Sequence, residues 1–335
     1  MRMLNSTSSA VIYFILGAFV DVGRWRYLCF LITAVLYLII VAVNVLLIAV
    51  ICVKRSLHEP MFLLLCSLFV NELYGSSGLF PFLLVQILSD LHTVSAPLCF
   101  LQIFCLYSYV NTEFCNLALM SYDRYLAICC PLQYRAVMTL HKVAVVIILT
   151  WLYSFVKFLI TLLLTVRLTL CGNVLNSTIC RNYLVVNLAC SDTSVNNIYG
   201  LFGTIITVLV PLLPILYSYS QILGVVLSGS KQTRQKAVNT CVPHLASLLN
   251  FSFGCLFESL QSRFDMVSIP SGLRIIMSLY FVILQSLLNP IMYGMNLTKI
   301  RNACKQLLLT SDPGVYARLL PECIWSPGST TRDST

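Results

Sequence analysis

Long uncharged runs alternate with short polar connections along most of the chain, and that alternation predicts its elements. Leu28–Val53 is an unbroken apolar run whose main polar interruption is Asn44. A run of that length exceeds the ~20 residues needed to cross a bilayer as a helix. Pro60 opens a second span to about Val85, well placed for a first helical turn. Five more spans follow, at about Ala96–Cys130, Val143–Val166, Asn196–Leu227, Lys236–Ser262 and Leu273–Met295. Residues 131–142 and 228–235 are short basic loops, and residues 167–195 form the longest connection. After the seventh span, residues 296–309 (including LTKIRNACKQLLL) sort apolar and basic side chains onto two faces at helical spacing. This predicts an amphipathic helix lying on the membrane surface. The tail, 310–335, is rich in Ser, Thr and Pro and is expected to be disordered. The expected fold is therefore an all-α membrane protein, a seven-transmembrane helix bundle over 28–295.

Composition sharpens the picture. The 335 residues are 59% hydrophobic and 10% charged, against roughly 25% charged in a soluble domain. The net charge of +9 does not point to nucleic acid, because it is dispersed and has no interleaved aromatics. Lys54, Arg55, Arg135, Lys142, Lys231, Arg234, Lys236, Lys299, Arg301 and Lys305 fall on alternate sides of the spans, which makes those sides cytoplasmic. The N-terminal segment, 1–27, is then extracellular, in keeping with glycosylation sequons at Asn5 and, in the long loop, Asn176. Ala10–Val20 has the apolar character of a signal-peptide core but no clear cleavage site. The 15 cysteines contain no CxxC motif, and His58, His92, His141 and His244 have no ligand spacing. Hydrolase, metalloprotease and nucleotide-binding motifs are absent, so no enzyme activity is expected.

The candidate chemistry lies within the spans. Glu72 and Glu113 sit near the centres of the second and third, where lone carboxylates are costly. Facing one another, they would share a proton or hold a sodium ion, with Asn44 and Asn289 at comparable depth; no other cofactor is expected. Asn289-Pro290 interrupts the seventh span and suggests a kink. Lys157 and Glu258, in the outer halves of their spans, are candidates to meet a polar ligand group, although snorkelling equally explains Lys157. Asp123-Arg124-Tyr125 ends the third span with an acid–base pair. A cation or proton transporter using Glu72 and Glu113 stays open at this point, against the lack of an internal repeat.

The motifs carry a resemblance. PMFLLLCSLFVNELYGSS at 60–77 is similar to PMYFFLSxLSFxDxxYSS; MSYDRYLAICCPLQY at 120–134 to MAYDRYVAICxPLxY; KAVNTCVPHL at 236–245 to KAFSTCxSHL; and LNPIMYGMN at 288–296 to LNPxIYSLRN. The chain resembles the odorant-receptor branch of the rhodopsin-like G-protein-coupled receptors, from about Phe14 to Lys305. The resemblance implies a multi-pass plasma-membrane receptor for a small-molecule odorant, coupled to a stimulatory, olfactory-type heterotrimeric G protein. A related receptor of non-olfactory role is the nearest alternative. The resemblance also implies disulfides Cys99–Cys180 and Cys171–Cys190, a switch in which Asp123 restrains Arg124 beside Tyr125, and a cation held by Glu113 with the second-helix acid. The chain departs from the family at Glu72, where Asp is usual, at FSFG (251–254), where FYG is usual, and at Asn296. Odorant binding is expected between the outer halves of helices three, five, six and seven, with Tyr107, Val110, Asn111, Phe114, Phe251, Phe253 and Tyr280 as candidates. Leu106 stands where amine receptors carry an acid, which argues against an amine ligand.

Overall fold

The computed structural model describes residues 11–19, 23–229, 231–263 and 271–309. The sequon at Asn5, the tail 310–335 and the side chain of Glu258 lie outside them. Among the described residues, seven helices have 26 or more residues: α1 (Arg26–Val53), α2 (Pro60–Leu88), α3 (Ala96–Cys129), α5 (Leu140–Val166), α7 (Ser194–Ser228), α8 (Lys231–Arg263) and α9 (Ser271–Asn296). Three shorter helices are α4 (Pro131–Val137), α6 (Asn182–Val186) and α10 (Thr298–Leu309).

By length and apolarity, α1, α2, α5 and α7 suffice to cross a bilayer. At 1.5 Å per residue the 28 residues of α1 extend about 42 Å, beyond the ~30 Å hydrocarbon layer. Their outer faces carry large exposed apolar side chains, among them Leu31, Leu38, Ile148, Leu152, Leu209 and Leu213. Water would not tolerate so continuous an apolar surface, whereas lipid would. The more polar α3 lies at the centre, packed against α2, α5, α7 and α8. It buries Gln102, Ser108, Asn111, Thr112, Glu113, Asn116 and Asp123. A helix surrounded by other helices has no need of an apolar surface, because its polar groups find partners inside the bundle.

Close approach of α3 to α2 depends on Gly75. A Cβ there would lie 2.4 Å from a Tyr109 ring carbon, so only a bare glycine lets the ring lie flat against α2. Helices α2, α7, α8 and α9 continue through Pro81, Pro211 and Pro214, Pro243 and Pro290.

Three connections are more structured than the polar pattern suggests. Residues 131–142, expected as a loop, begin with helix α4. Pro131 supplies a preset first-turn φ, and Thr139 then caps α5 by accepting the Lys142 N–H. The N-terminal segment forms β1 (Tyr13–Leu16), which pairs antiparallel with β2 (Thr93–Ser95) and parallel with β3 (Val174–Leu175). Phe14 and Leu16 point inward while Tyr13 and Ile15 point outward. That alternation is hidden in the sequence, because all four residues are apolar. The long connection holds β3 and α6 and is tied by both implied disulfides, Cys99–Cys180 and Cys171–Cys190, with Cα separations of 5.4 and 5.6 Å. At the opposite end, α10 buries Ile300 and Ala303 and exposes Lys299, Arg301 and Asn302. Lys299 pairs with Glu59 at 2.6 Å.

Candidate functional site

Three groups of residues line up along α3. The first is a polar centre shared by α2, α3, α8 and α9. Glu72 accepts hydrogen bonds from Asn289 Nδ2 (2.5 Å), Ser286 Oγ (2.9 Å) and the Tyr109 hydroxyl (3.1 Å). Glu113 accepts from Asn71 Nδ2 (2.9 Å), Asn289 Nδ2 (3.0 Å) and Gln285 Nε2 (3.3 Å). Both acids are fully buried, and Asn289 bridges them. Ser247 of α8 closes the group by donating to Asn289 Oδ1 at 2.6 Å. Among the described residues, the groups that donate to these two carboxylates are neutral amides and hydroxyls. Two buried negative charges cannot persist side by side on neutral donors, so a proton or a cation must accompany them. The groups that face them are the hydroxyls of Ser286 and Tyr109 and the amide nitrogens of Asn71, Gln285 and Asn289. Asn44, expected at this site, sends its amide to the Ile40 and Ser286 carbonyls instead, at 2.9 and 3.0 Å.

Asn71, Tyr109, Gln285 and Ser286 were not singled out from the sequence. A helical signal exists for the last three: Tyr109 lies four residues before Glu113, and Gln285 and Ser286 lie four and three before Asn289. Each therefore shares a face with a residue already flagged.

The second group closes α3 at the end away from the disulfides. Asp123 is buried and pairs with Arg124, whose Nε donates at 2.9 Å and whose terminal nitrogen donates to the same oxygen. The Tyr134 hydroxyl of α4 donates to the other oxygen at 2.8 Å. Burial, and then the Asp123 charge, push the Tyr134 hydroxyl's pKa well above its ordinary value, so it remains a donor. Tyr125 packs beside Tyr122 and Tyr217. Nearby, buried His244 of α8 bonds the Leu117 carbonyl through Nε2 (2.9 Å) and the Tyr219 hydroxyl through Nδ1 (2.5 Å). A carbonyl only accepts, so Nε2 carries the proton; a neutral ring then satisfies both bonds. This histidine, set aside above as a metal ligand, instead ties α8 to α3 and α7.

The third group is a cavity of about 200 Å³ near the disulfide end. Its walls come from α3, α5, α7, the loop 179–181, α6 and one residue of α8, Cys255. Of the expected ligand residues, Tyr107, Val110 and Phe114 line it, as does Leu106. Asn111 stands behind the wall, donating to Ser154 Oγ at 2.8 Å. Phe251 is fully buried against Phe114, with ring centroids 4.9 Å apart. Phe253 is exposed, with its ring edge-on to Tyr280. The Tyr280 hydroxyl donates to Asn250 (2.7 Å), whose amide donates to Gln285 (2.9 Å) and so reaches the polar centre. Among the described residues, the cavity is thus walled by α5, α7 and the loop far more than by α8 and α9. Two buried cationic residues stand in the wall, Lys157 of α5 and Arg181 of the loop.

The profile of the family described as olfactory receptor matches residues 33–311. Among curated proteins, olfactory receptor 10A6 of Homo sapiens is 32% identical over 307 residues, 91% of this chain and 97% of the relative. Olfactory receptor 56A4 of Homo sapiens is 31% identical over 306 residues, 91% and 97% of the two chains. Olfactory receptor 8U3 of Mus musculus is 31% identical over 311 residues, 91% and 96% of the two.

Proposed function

Because the chain belongs to the olfactory receptor family, whose members are multi-pass membrane G-protein-coupled receptors and not enzymes, we propose that it is a seven-span receptor that binds a small odorant in the cavity beneath the disulfide-tied loop and activates a stimulatory G protein at the opposite face. The N-terminus and the long loop lie outside the cell, where an oxidising environment permits the two bridges. The basic loops and α10 lie inside, beside the anionic inner leaflet.

The observation that carries this reading is the Asp123–Arg124 pair closed by Tyr134. It holds a cation at the end of the central helix, in a contact made by α3 and α4 that a rearrangement at this face would open. Ligand binding then acts by selection: the odorant favours the arrangement in which Arg124 is released, and the G protein binds that arrangement. Packed aromatics supply a physical connection. Phe114 of the cavity wall abuts Phe251, Phe251 abuts Tyr109, and the Tyr109 hydroxyl sits on Glu72. A sodium ion or a shared proton at Glu72 and Glu113 belongs to the resting state in this scheme. Family resemblance supports the stimulatory assignment. Glycosylation at exposed Asn176 fits the outward-facing loop.

An odorant screen read by cAMP, in cells expressing the chain with the olfactory-type stimulatory G protein, tests the proposal. A ligand-dependent rise that requires the G protein is expected. Ligand-independent sodium or proton flux in cells lacking that G protein would instead favour a transporter.

A further inference from the structure

We propose that the cavity takes a small carboxylic acid, with the ligand carboxylate paired to the Lys157 ammonium. This rests on the receptor reading for its signal but not for its chemistry.

Lys157 lies mid-helix in α5 and is 8% exposed. It does not snorkel. Its Nζ donates to Asn111 Oδ1 (3.2 Å), to the Gly203 carbonyl (3.0 Å) and to Thr207 Oγ1, reaching across to α3 and α7. The protonation state follows from the bonding. Asn111 Oδ1 and the carbonyl only accept, and the Thr207 hydroxyl hydrogen is committed to the Gly203 carbonyl at 2.8 Å. Three acceptors therefore need three N–H groups, which only the ammonium form supplies. All three acceptors are neutral, and no carboxylate pairs with Lys157 among the described residues. The charge is thus solvated by dipoles but not neutralised, an arrangement that is costly inside a protein and that an anion would relieve.

The same side chain lines the cavity. Thr161, Arg181, Asn196 and Thr204 also line the cavity as polar groups, while Leu106, Val110 and Phe114 offer an apolar bed on α3. A volume of about 200 Å³ is suited to a small acid. The site discriminates among ligand classes. An amine would be repelled by Lys157, and an alcohol or ester would gain no charge pairing. An aldehyde would form an imine only after the ammonium lost a proton and three hydrogen bonds.

The test uses the full-length receptor in lipid nanodiscs and in cells. Butanoic, hexanoic, benzoic and phenylacetic acids are compared with their methyl esters and alcohols, and with hexanal, by ligand-observed NMR and by cAMP. At least one acid should bind and should outbind its ester and alcohol. Lys157→Met, which keeps the stem, should weaken that acid by at least about tenfold, as removal of one member of a buried charge pair does. Lys157→Arg should retain binding. Equal or tighter binding of the neutral partners overturns the proposal. So does unchanged acid binding in Lys157→Met, a borohydride-trapped hexanal adduct as the sole binding event, or binding by none of the acids. If Lys157→Met fails to reach the membrane, the wild-type preference for acid over ester still decides. Acid binding without a cAMP response would leave this site standing and remove the G-protein reading; a cAMP response to neutral odorants without acid binding would do the reverse.

Discussion

Arg124 and Tyr134 each take one of the two oxygens of a single buried carboxylate, and that division gives each a separable role. Removing the guanidinium in Arg124→Ala removes the group offered to the G protein. We expect cAMP signalling to be lost while antibody staining of intact cells shows surface display largely retained; unchanged signalling would exclude the switch. Tyr134→Phe removes only the hydroxyl donated to Asp123. A hydrogen bond to a charged group contributes about 1.5–3 kcal/mol. Its loss frees a carboxylate oxygen and loosens α4 from α3, so ligand-independent cAMP should rise several-fold at equal surface density. A lower basal level would show that α4 promotes activity instead of restraining it.

Elements matter here through what they hold in register. The disulfide Cys99–Cys180 joins the first turn of α3 to the loop that roofs the cavity, and the Cys180 N–H adds a bond to Gln102 at 2.8 Å. The bridge Cys171–Cys190 closes a loop of 19-residue separation beside it. Removing a native disulfide costs typically about 2–5 kcal/mol. Cys99→Ser should therefore retain the protein in internal membranes, seen as loss of cell-surface signal with total protein preserved. Cys171→Ser leaves the α3 anchor intact and should reduce surface signal less. Equal surface display in Cys99→Ser and wild type would mean that the sheet β2-β1-β3 alone holds the roof.

Across the whole molecule, the two acids of α2 and α3 and the amides of α9 form one group, so occupancy by an ion should be felt globally. Anything that binds only the folded state stabilises it by RT ln(1 + [L]/Kd), about 1.4 kcal/mol at ten times Kd. The purified receptor should melt higher in sodium chloride than in choline chloride, and Glu113→Gln should abolish the difference. Equal melting in both salts for the wild type would favour a shared proton. Glu113→Gln should also shift basal signalling, because Asn289 would then bridge one charge and one neutral amide instead of two acids.

Apolar run length alone determined that this chain would be built of long helices, because a bilayer admits few other solutions. Local motifs likewise marked Asp123-Arg124-Tyr125, Glu72 and Glu113, since charge inside an apolar run is conspicuous and expensive. What the pattern could not supply were partners from other helices. Asn289 as the bridge, Tyr109 admitted by Gly75, and His244 as a tie rather than a ligand all depend on contacts between residues far apart in the chain. The short strand β1 was invisible because apolar residues occupy both its faces. The cavity moved toward α5 for the same kind of reason. Periodicity marks which face of a helix is apolar, but only packing decides which neighbour that face meets, and so only the tertiary structure set Lys157 inside the wall.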